Sequence, residues 1–203
     1  MMKKLILATV LTLSLATWSS AELVENGDFS DNVAYWLMAP ASGYGKPAPE
    51  FAVVDGALEA TNLREVDPNY LLVQQPVNVQ KGKRYKLSYE VKADGSGYYL
   101  VTIQHVLHDR HYMAKNPLPG SSWESVEVEF EGAFDTDEKW VKKYRSATKK
   151  NELIDGKTPR SEKLKKIKSV KRSEPASRST LFFHIGAVTG SFAVRNISIV
   201  EVK

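Results

Sequence analysis

The feature that most constrains this chain is an alternation of apolar and polar residues that recurs in segment after segment, each closed by turn residues. In "RYKLSYEVKADGSG", Tyr85, Leu87, Tyr89 and Val91 fall on one face, and Lys86, Ser88, Glu90 and Lys92 on the other. A period of two is the strand's period, and it places one face against a core and the other in water. "FAVVDGALEAT" reads as a hairpin turning at Asp55-Gly56. "NYLLVQQPVNVQ" leads into the turn "KGK", and "YYLVTIQHV" sets Tyr99, Val101 and Ile103 against Leu100, Thr102 and Gln104. "WESVEVEFEG" opposes Val126, Val128 and Phe130 to Glu127, Glu129 and Glu131, while "STLFFHIGAV" and "GSFAVRNISIVEV" add two closing strands. Many short strands with hairpin turns and no convincing helix between them predict an all-β fold, a sandwich of antiparallel sheets.

The start of the chain reads as a leader. Lys3 and Lys4 precede an apolar run from Leu5 to Trp18 and the small residues Ser19-Ser20-Ala21, the order of a secretory signal peptide over residues 1–21, cut after Ala21. The run is short for a bilayer span, and no later segment approaches ~20 apolar residues, so the expectation is a secreted or periplasmic protein without a transmembrane segment. There is no cysteine, which excludes disulfides and thiolate metal sites. Residues 22–203 are enough for one domain. Charge divides that domain in two: residues 139–178 hold fifteen Lys or Arg and four Asp or Glu, net +11, leaving −9 for the rest of the exported chain. A basic insertion over 136–179 therefore interrupts an acidic sandwich. "FDTDEKWVKKYRSATKK", with Thr136 as a cap, and "RSEKLKKIKSVKRSEP" after it predict one or two short, loosely attached helices. Such a segment is either a solvated loop or an electrostatic footprint for an anionic polymer or envelope surface. Nucleic acid is not expected, because no recognition motif accompanies the charge.

The ordered set "ELVENGDFSDNVAYW", "FAVVDGALEAT", "YLLVQQPVNVQKGKRYKLSYEVKAD", "WESVEVEFEGAFDT" and "GSFAVRNISIV" resembles the carbohydrate-binding modules of families 4 and 9, relatives of families 16 and 22. The resemblance implies a jelly-roll β-sandwich whose concave sheet binds a polysaccharide or oligosaccharide, of the kind attached to glycoside hydrolases. It also implies a calcium between the first segment and the last strand. Here "NGDFS" has Ser30, and "RNIS" has Arg195, where the family pattern supplies carboxylates. Calcium needs several hard oxygen ligands with compensating charge, so neither metal nor cofactor is expected, and Asp28, Glu25 or Glu59 is expected to pair with Arg195 instead.

Catalysis is not expected. Glycoside hydrolysis needs two carboxyl groups across a cleft, whereas Glu127, Glu129 and Glu131 share one strand face, and no nucleophile-elbow or phosphate-binding motif appears. "TIQHVLHDRHYMAKNP" groups His105, His108 and His111. Residues three apart on a strand alternate faces, which speaks against a metal site. By resemblance, the loop after the Tyr99–Gln104 strand and the outward residues of the penultimate strand line the glycan cleft. Sugars present hydroxyls around apolar C–H faces, so their sites combine flat rings with mixed donors and acceptors. The candidate set is Tyr70, Gln104, His108, Arg110, His111, Tyr112, Phe182 and His184, the alternative being a solvated loop with unrelated histidines. Imidazoles ordinarily titrate near pH 6.5, which predicts binding that changes between about pH 5 and 8. Trp36 and Trp123 read as packing residues; Tyr44 and Tyr70 sit by turns, as lids on the core or platforms for sugar. The function expected is a secreted, non-catalytic carbohydrate-binding module, the alternative being a cell-envelope interaction protein that binds through its basic insertion.

Overall fold

The computed structural model describes residues 21–40, 44–105, 109–153 and 178–203 of the 203-residue chain. The expected leader apart from Ala21, His108 and the second expected helix lie outside the described residues. The elements are β1 (Leu37–Pro40), β2 (Glu50–Val54), β3 (Ala57–Leu63), β4 (Leu71–Pro76), β5 (Arg84–Asp94), β6 (Tyr98–Gln104), β7 (Arg110–Pro117), β8 (Glu124–Glu131), α1 (Glu138–Thr148), β9 (Thr180–His184) and β10 (Gly190–Val202). They form two five-stranded antiparallel sheets in the orders β1-β4-β9-β6-β7 and β2-β3-β10-β5-β8. This is a jelly-roll sandwich.

Alternation builds the core. Tyr85, Leu87, Tyr89, Val91 and Ala93 of β5 are all buried, and they meet Tyr99, Val101 and Ile103 of β6 and Leu181 and Phe183 of β9. In β10 the apolar residues fall at 192, 194, 197 and 199, so the period slips by one residue. A bulge between Arg195 and Ser198, with Asn196 at φ 52°, absorbs the slip and returns Ile197 and Ile199 to the core. Gly27 packs against that bulge. A Cβ there would lie 1.9 Å from the Ile197 carbonyl oxygen, and the Ile197 N–H donates to the Gly27 carbonyl at 3.0 Å. The hairpin at Asp55-Gly56 forms as expected, with both residues at positive φ. Trp36 and Tyr44 are both core residues, the Trp36 indole N–H donating to the Asn26 carbonyl at 2.9 Å. Gln75 points inward, and its buried amide brackets the Glu25 main chain with bonds of 2.7 and 2.8 Å.

Two strands exceed the sequence reading. β1 is too short for alternation to register. β7 carries polar residues on both faces because it is an edge strand with little to bury, which is why "RHYMAKNP" reads as a loop. The helical reading needs two corrections. Asp137, not Thr136, caps α1, its carboxylate accepting from the Lys139 and Trp140 N–H groups. Nor is α1 loosely attached: Tyr144 is buried against Leu37, Arg145 bridges to Glu25 at 2.9 Å, and the Asn151 amide donates to the Trp36 carbonyl at 2.7 Å.

Candidate functional site

Register places the outward residues of the β1-β4-β9-β6-β7 sheet in rows. One row runs Leu37, Gln74, Phe182, Thr102 and Met113, and the next runs Leu72, His184, Leu100 and Lys115. Thr180, Gln104 and Arg110 form a third at one end. Tyr70 stands at the other end, 39% exposed, in a 3-10 turn that precedes β4. The face mixes apolar stems with amides, hydroxyls and cations, and α1 closes its β1 side through Trp140 and Tyr144.

The eight expected residues divide. Tyr70, Gln104, Arg110, Phe182 and His184 belong to this face. Tyr112 does not: it pairs with Ile103, so its ring turns inward and packs beside Phe130 at a centroid distance of 6.1 Å. His111 is the extra residue where the β6–β7 register shifts, and its ring turns toward the segments that precede α1 and β9. There it stacks on Phe134 at 3.8 Å, accepts the Ala133 N–H at Nδ1 (3.0 Å), and therefore donates from Nε2 to the Ser179 hydroxyl (2.7 Å). Ser179 lies 2.6 Å from the Thr136 hydroxyl, which also accepts the Val79 N–H at 3.1 Å. This chain of bonds joins the segment just before α1 to the segment just before β9.

Phe182 and His184 lie in the outward rows yet are buried, at 8% and 3% exposure. Asn69 commits its side-chain nitrogen to Asp67 at 2.9 Å, so its oxygen faces His184 and accepts from Nδ1–H at 3.1 Å. The His184 Nε2 is left as acceptor for the Thr102 hydroxyl at 2.9 Å. Burial, reinforced by nearby Arg110, lowers the His184 pKa to about 4, and burial alone takes His111 to about 4. Both rings are neutral from pH 5 to 8, so the expected titration in that window does not come from them. Gln74, Leu100, Met113 and Lys115 complete the face. The signal that finds them is the strand alternation of β4, β6 and β7, legible once β7 is known to be a strand.

The opposite sheet is arranged differently. Trp123 is not a core residue: its half-buried ring lies on the outer face, with Lys92 Nζ at 4.9 Å and Arg195 Cζ at 4.1 Å from its centroid. A cavity of about 200 Å³ opens nearby among Glu59, Thr61, Lys92, Asp94 and Ser191, with Ala193 lining it. Two of its charges already pair, Lys92 with Glu59 at 3.0 Å. Arg195 pairs with Glu90 at 2.7 Å rather than with Asp28, Glu25 or Glu59. Asp28 instead accepts from the Ser30 N–H and hydroxyl, which holds its carboxyl below the usual range. A paired guanidinium and a carboxylate turned to its own loop do not fit calcium. Among the described residues no group of three His, Cys, Asp or Glu could hold a metal, and no helix is long and apolar enough to cross a membrane.

Two antiparallel five-stranded sheets with one outer face of amides, rings and apolar stems define a β-sandwich binding module. The Carbohydrate binding domain family CBM_4_9 matches residues 21–144, more than half of the chain, and the chain belongs to that family. Membership makes it a carbohydrate-binding module rather than a catalytic domain. The match ends inside α1, while β9 and β10, further along the chain, supply the central strand of each sheet. No curated protein matches the chain. Among solved structures, a CBM4 module is 15% identical, with 88% of this chain and 99% of that one covered at a TM-score of 0.58. The second N-terminal cellulose-binding domain of Cellulomonas fimi β-1,4-glucanase C is 15% identical over 91% of this chain and 97% of its own, at a TM-score of 0.55. The module BiXyn10A CBM1 is 11% identical over 84% and 96%, at 0.51. At such identities the likeness shows the fold alone.

Proposed function

We propose that this module is exported and holds a polysaccharide or oligosaccharide chain on the outer, concave face of the β1-β4-β9-β6-β7 sheet, as the binding partner of a glycoside hydrolase. The observation that carries this reading is the composition of that face. Gln74 and Gln104 offer both donors and acceptors, Leu72, Leu100 and Met113 offer apolar contact, and Tyr70 stands exposed at the rim. Phe182 and His184 act beneath it: the bonds from Asp67 through Asn69 and His184 to Thr102 fix the floor on which the sugar rests. Attachment to a hydrolase draws support from the similar cellulose-binding domain, which belongs to a glucanase.

A glycan array on the exported chain, followed by calorimetric titration of the best ligand, tests the assignment. The expected affinity is about 10⁻⁵ to 10⁻³ M, or about 4 to 7 kcal/mol. Tyr70→Ala and Gln104→Ala each weaken it about tenfold. Unchanged affinity in both variants would remove the site from this face.

A second reading has its own observation. Lys139, Lys142, Lys143, Lys149 and Lys150 are all exposed at helical spacing along and just past α1, a stripe suited to an anionic surface. Binding to anionic vesicles that falls with salt and disappears in Lys142→Gln/Lys143→Gln would support it; salt-independent binding would remove it.

A further inference from the structure

We infer that the outer face of the β1-β4-β9-β6-β7 sheet selects glycans bearing carboxylates, that is, chains containing uronic acid. The inference rests on the glycan-binding reading above and narrows its ligand class. The two sheets of one sandwich treat their cations in opposite ways. On the β2-β3-β10-β5-β8 sheet and the turn that leads into β5, each of five cations has a carboxylate: Lys83 with Glu201, Arg84 with Glu129, Lys86 with Glu127, Lys92 with Glu59, and Arg195 with Glu90. That is a solvated surface whose charges already cancel.

The outward positions of β4, β6, β7 and β9 include no Asp or Glu at all. They do include Arg110 and Lys115, both exposed on β7, and among the described residues neither has a carboxylate partner. Arg110 Nη1 lies 2.9 Å from the Met113 sulfur, and Lys115 Nζ lies 3.8 Å from the centre of the Tyr98 ring. Both are weak contacts, readily exchanged for a carboxylate. Asp67, which borders the face beside His184, is occupied by the backbone and side-chain N–H groups of Asn69. Arg178, just before β9, stands 5.9 Å over the Trp140 ring at the side closed by α1.

A neutral polymer can accept hydrogen bonds from these cations but leaves their charge unmatched. Unpaired cations on a face otherwise built of amides, apolar stems and rings match a ligand that is both sugar and anion. A guanidinium accepts a carboxylate as two parallel hydrogen bonds, and Lys115 adds a point charge. Arg110 and Lys115 pair with Gln104 and Leu100, four positions apart on β6, which is about 14 Å along the strand. That separation suits a chain with acidic residues repeated along its length rather than a single acidic sugar.

The test compares each acidic oligosaccharide with its own methyl-esterified, neutral form, using oligogalacturonate, oligomannuronate and glucuronate-substituted xylo-oligosaccharide, titrated calorimetrically into the whole exported chain. The expected result is at least a tenfold preference for one acidic form over its ester, shrinking as salt rises from 50 to 500 mM. In Arg110→Gln/Lys115→Gln the acid-to-ester ratio falls to about one. In Lys142→Gln/Lys143→Gln, on α1, it stays as in the parent. Equal affinity for acid and ester, or binding confined to neutral glycans on the array, overturns the inference and leaves the glycan-binding reading standing. Loss of the preference only in the α1 variant also overturns it and assigns the charge effect to the insertion. Failure to bind any glycan, acidic or neutral, overturns both.

Discussion

His184 provides a prediction whose size follows from its surroundings. Its ring is 3% exposed and held neutral, with Nδ1–H given to Asn69 and Nε2 accepting from Thr102. Burial takes its pKa from 6.5 to about 4. In the unfolded chain the ring binds a proton below about pH 6.5, whereas in the folded protein it resists until about pH 4. Between those values the unfolded state holds more protons, so folding stability falls as pH falls, by 1.36 kcal/mol for each pH unit. The stability is fully present above pH 6.5 and lost as pH drops through about 4, a change of about 3 kcal/mol from this one residue. The assay is urea unfolding at pH 7 and pH 4 of the parent and of His184→Gln, which keeps a donor and an acceptor but cannot titrate. Carboxylates such as Asp28 and Glu90, held low by Ser30 and by Arg195 respectively, contribute equally to both proteins and cancel in the difference. The parent should lose about 3 kcal/mol more than the variant. Parallel losses would refute a buried, neutral His184.

Further outcomes follow from the same contacts. Tyr144→Ala should destabilise the fold by about 3 kcal/mol in urea unfolding, because Tyr144 closes the apolar contact with Leu37; an unchanged midpoint would mean that α1 is not docked. Arg195→Ala should cost only about 1 kcal/mol, since its pair with Glu90 is about one-third exposed on both sides. Millimolar calcium should leave the melting temperature within error of the chelator control, given how Asp28 and Arg195 are engaged; a clear rise would refute that.

The sandwich was legible in the sequence because its central strands bury one whole face, and alternation is the direct trace of that burial. β5, β6 and β10 announce themselves in this way, even through the slip at Asn196. Edge strands leave a weaker trace: β7 has one shielded face and one wet one, and hydrogen bonding to β6 rather than apolar content makes it a strand. That single miss misplaced part of the site. Read as a loop, "RHYMAKNP" would offer all its polar side chains together. As a strand it sends Tyr112 to the core and Met113 and Lys115 outward, and the register shift turns His111 toward Ser179. Gln104, Phe182 and His184 were placed on the outer face by alternation alone, but the burial of Phe182 and His184 was not legible, because it depends on what approaches the sheet. Trp123 misled for a related reason. An aromatic residue at the head of a strand reads as core, yet Lys92 and Arg195, distant in sequence, make the outer face a favourable place for it. The partner of Arg195 was equally hidden, since Glu90 is its direct neighbour across the β5–β10 ladder and cross-strand neighbours are set by register.

The central claim is that glycan binds the outer face of the β1-β4-β9-β6-β7 sheet, and the most direct measurement is amide chemical-shift mapping of the isotope-labelled chain during titration with the best array ligand. The perturbed amides are expected to cluster at Tyr70, Gln74, Leu100, Gln104, Arg110, Met113 and Lys115. Perturbations that cluster instead around Trp123, Thr61 and Ser191 on the other sheet, or along α1, would contradict it.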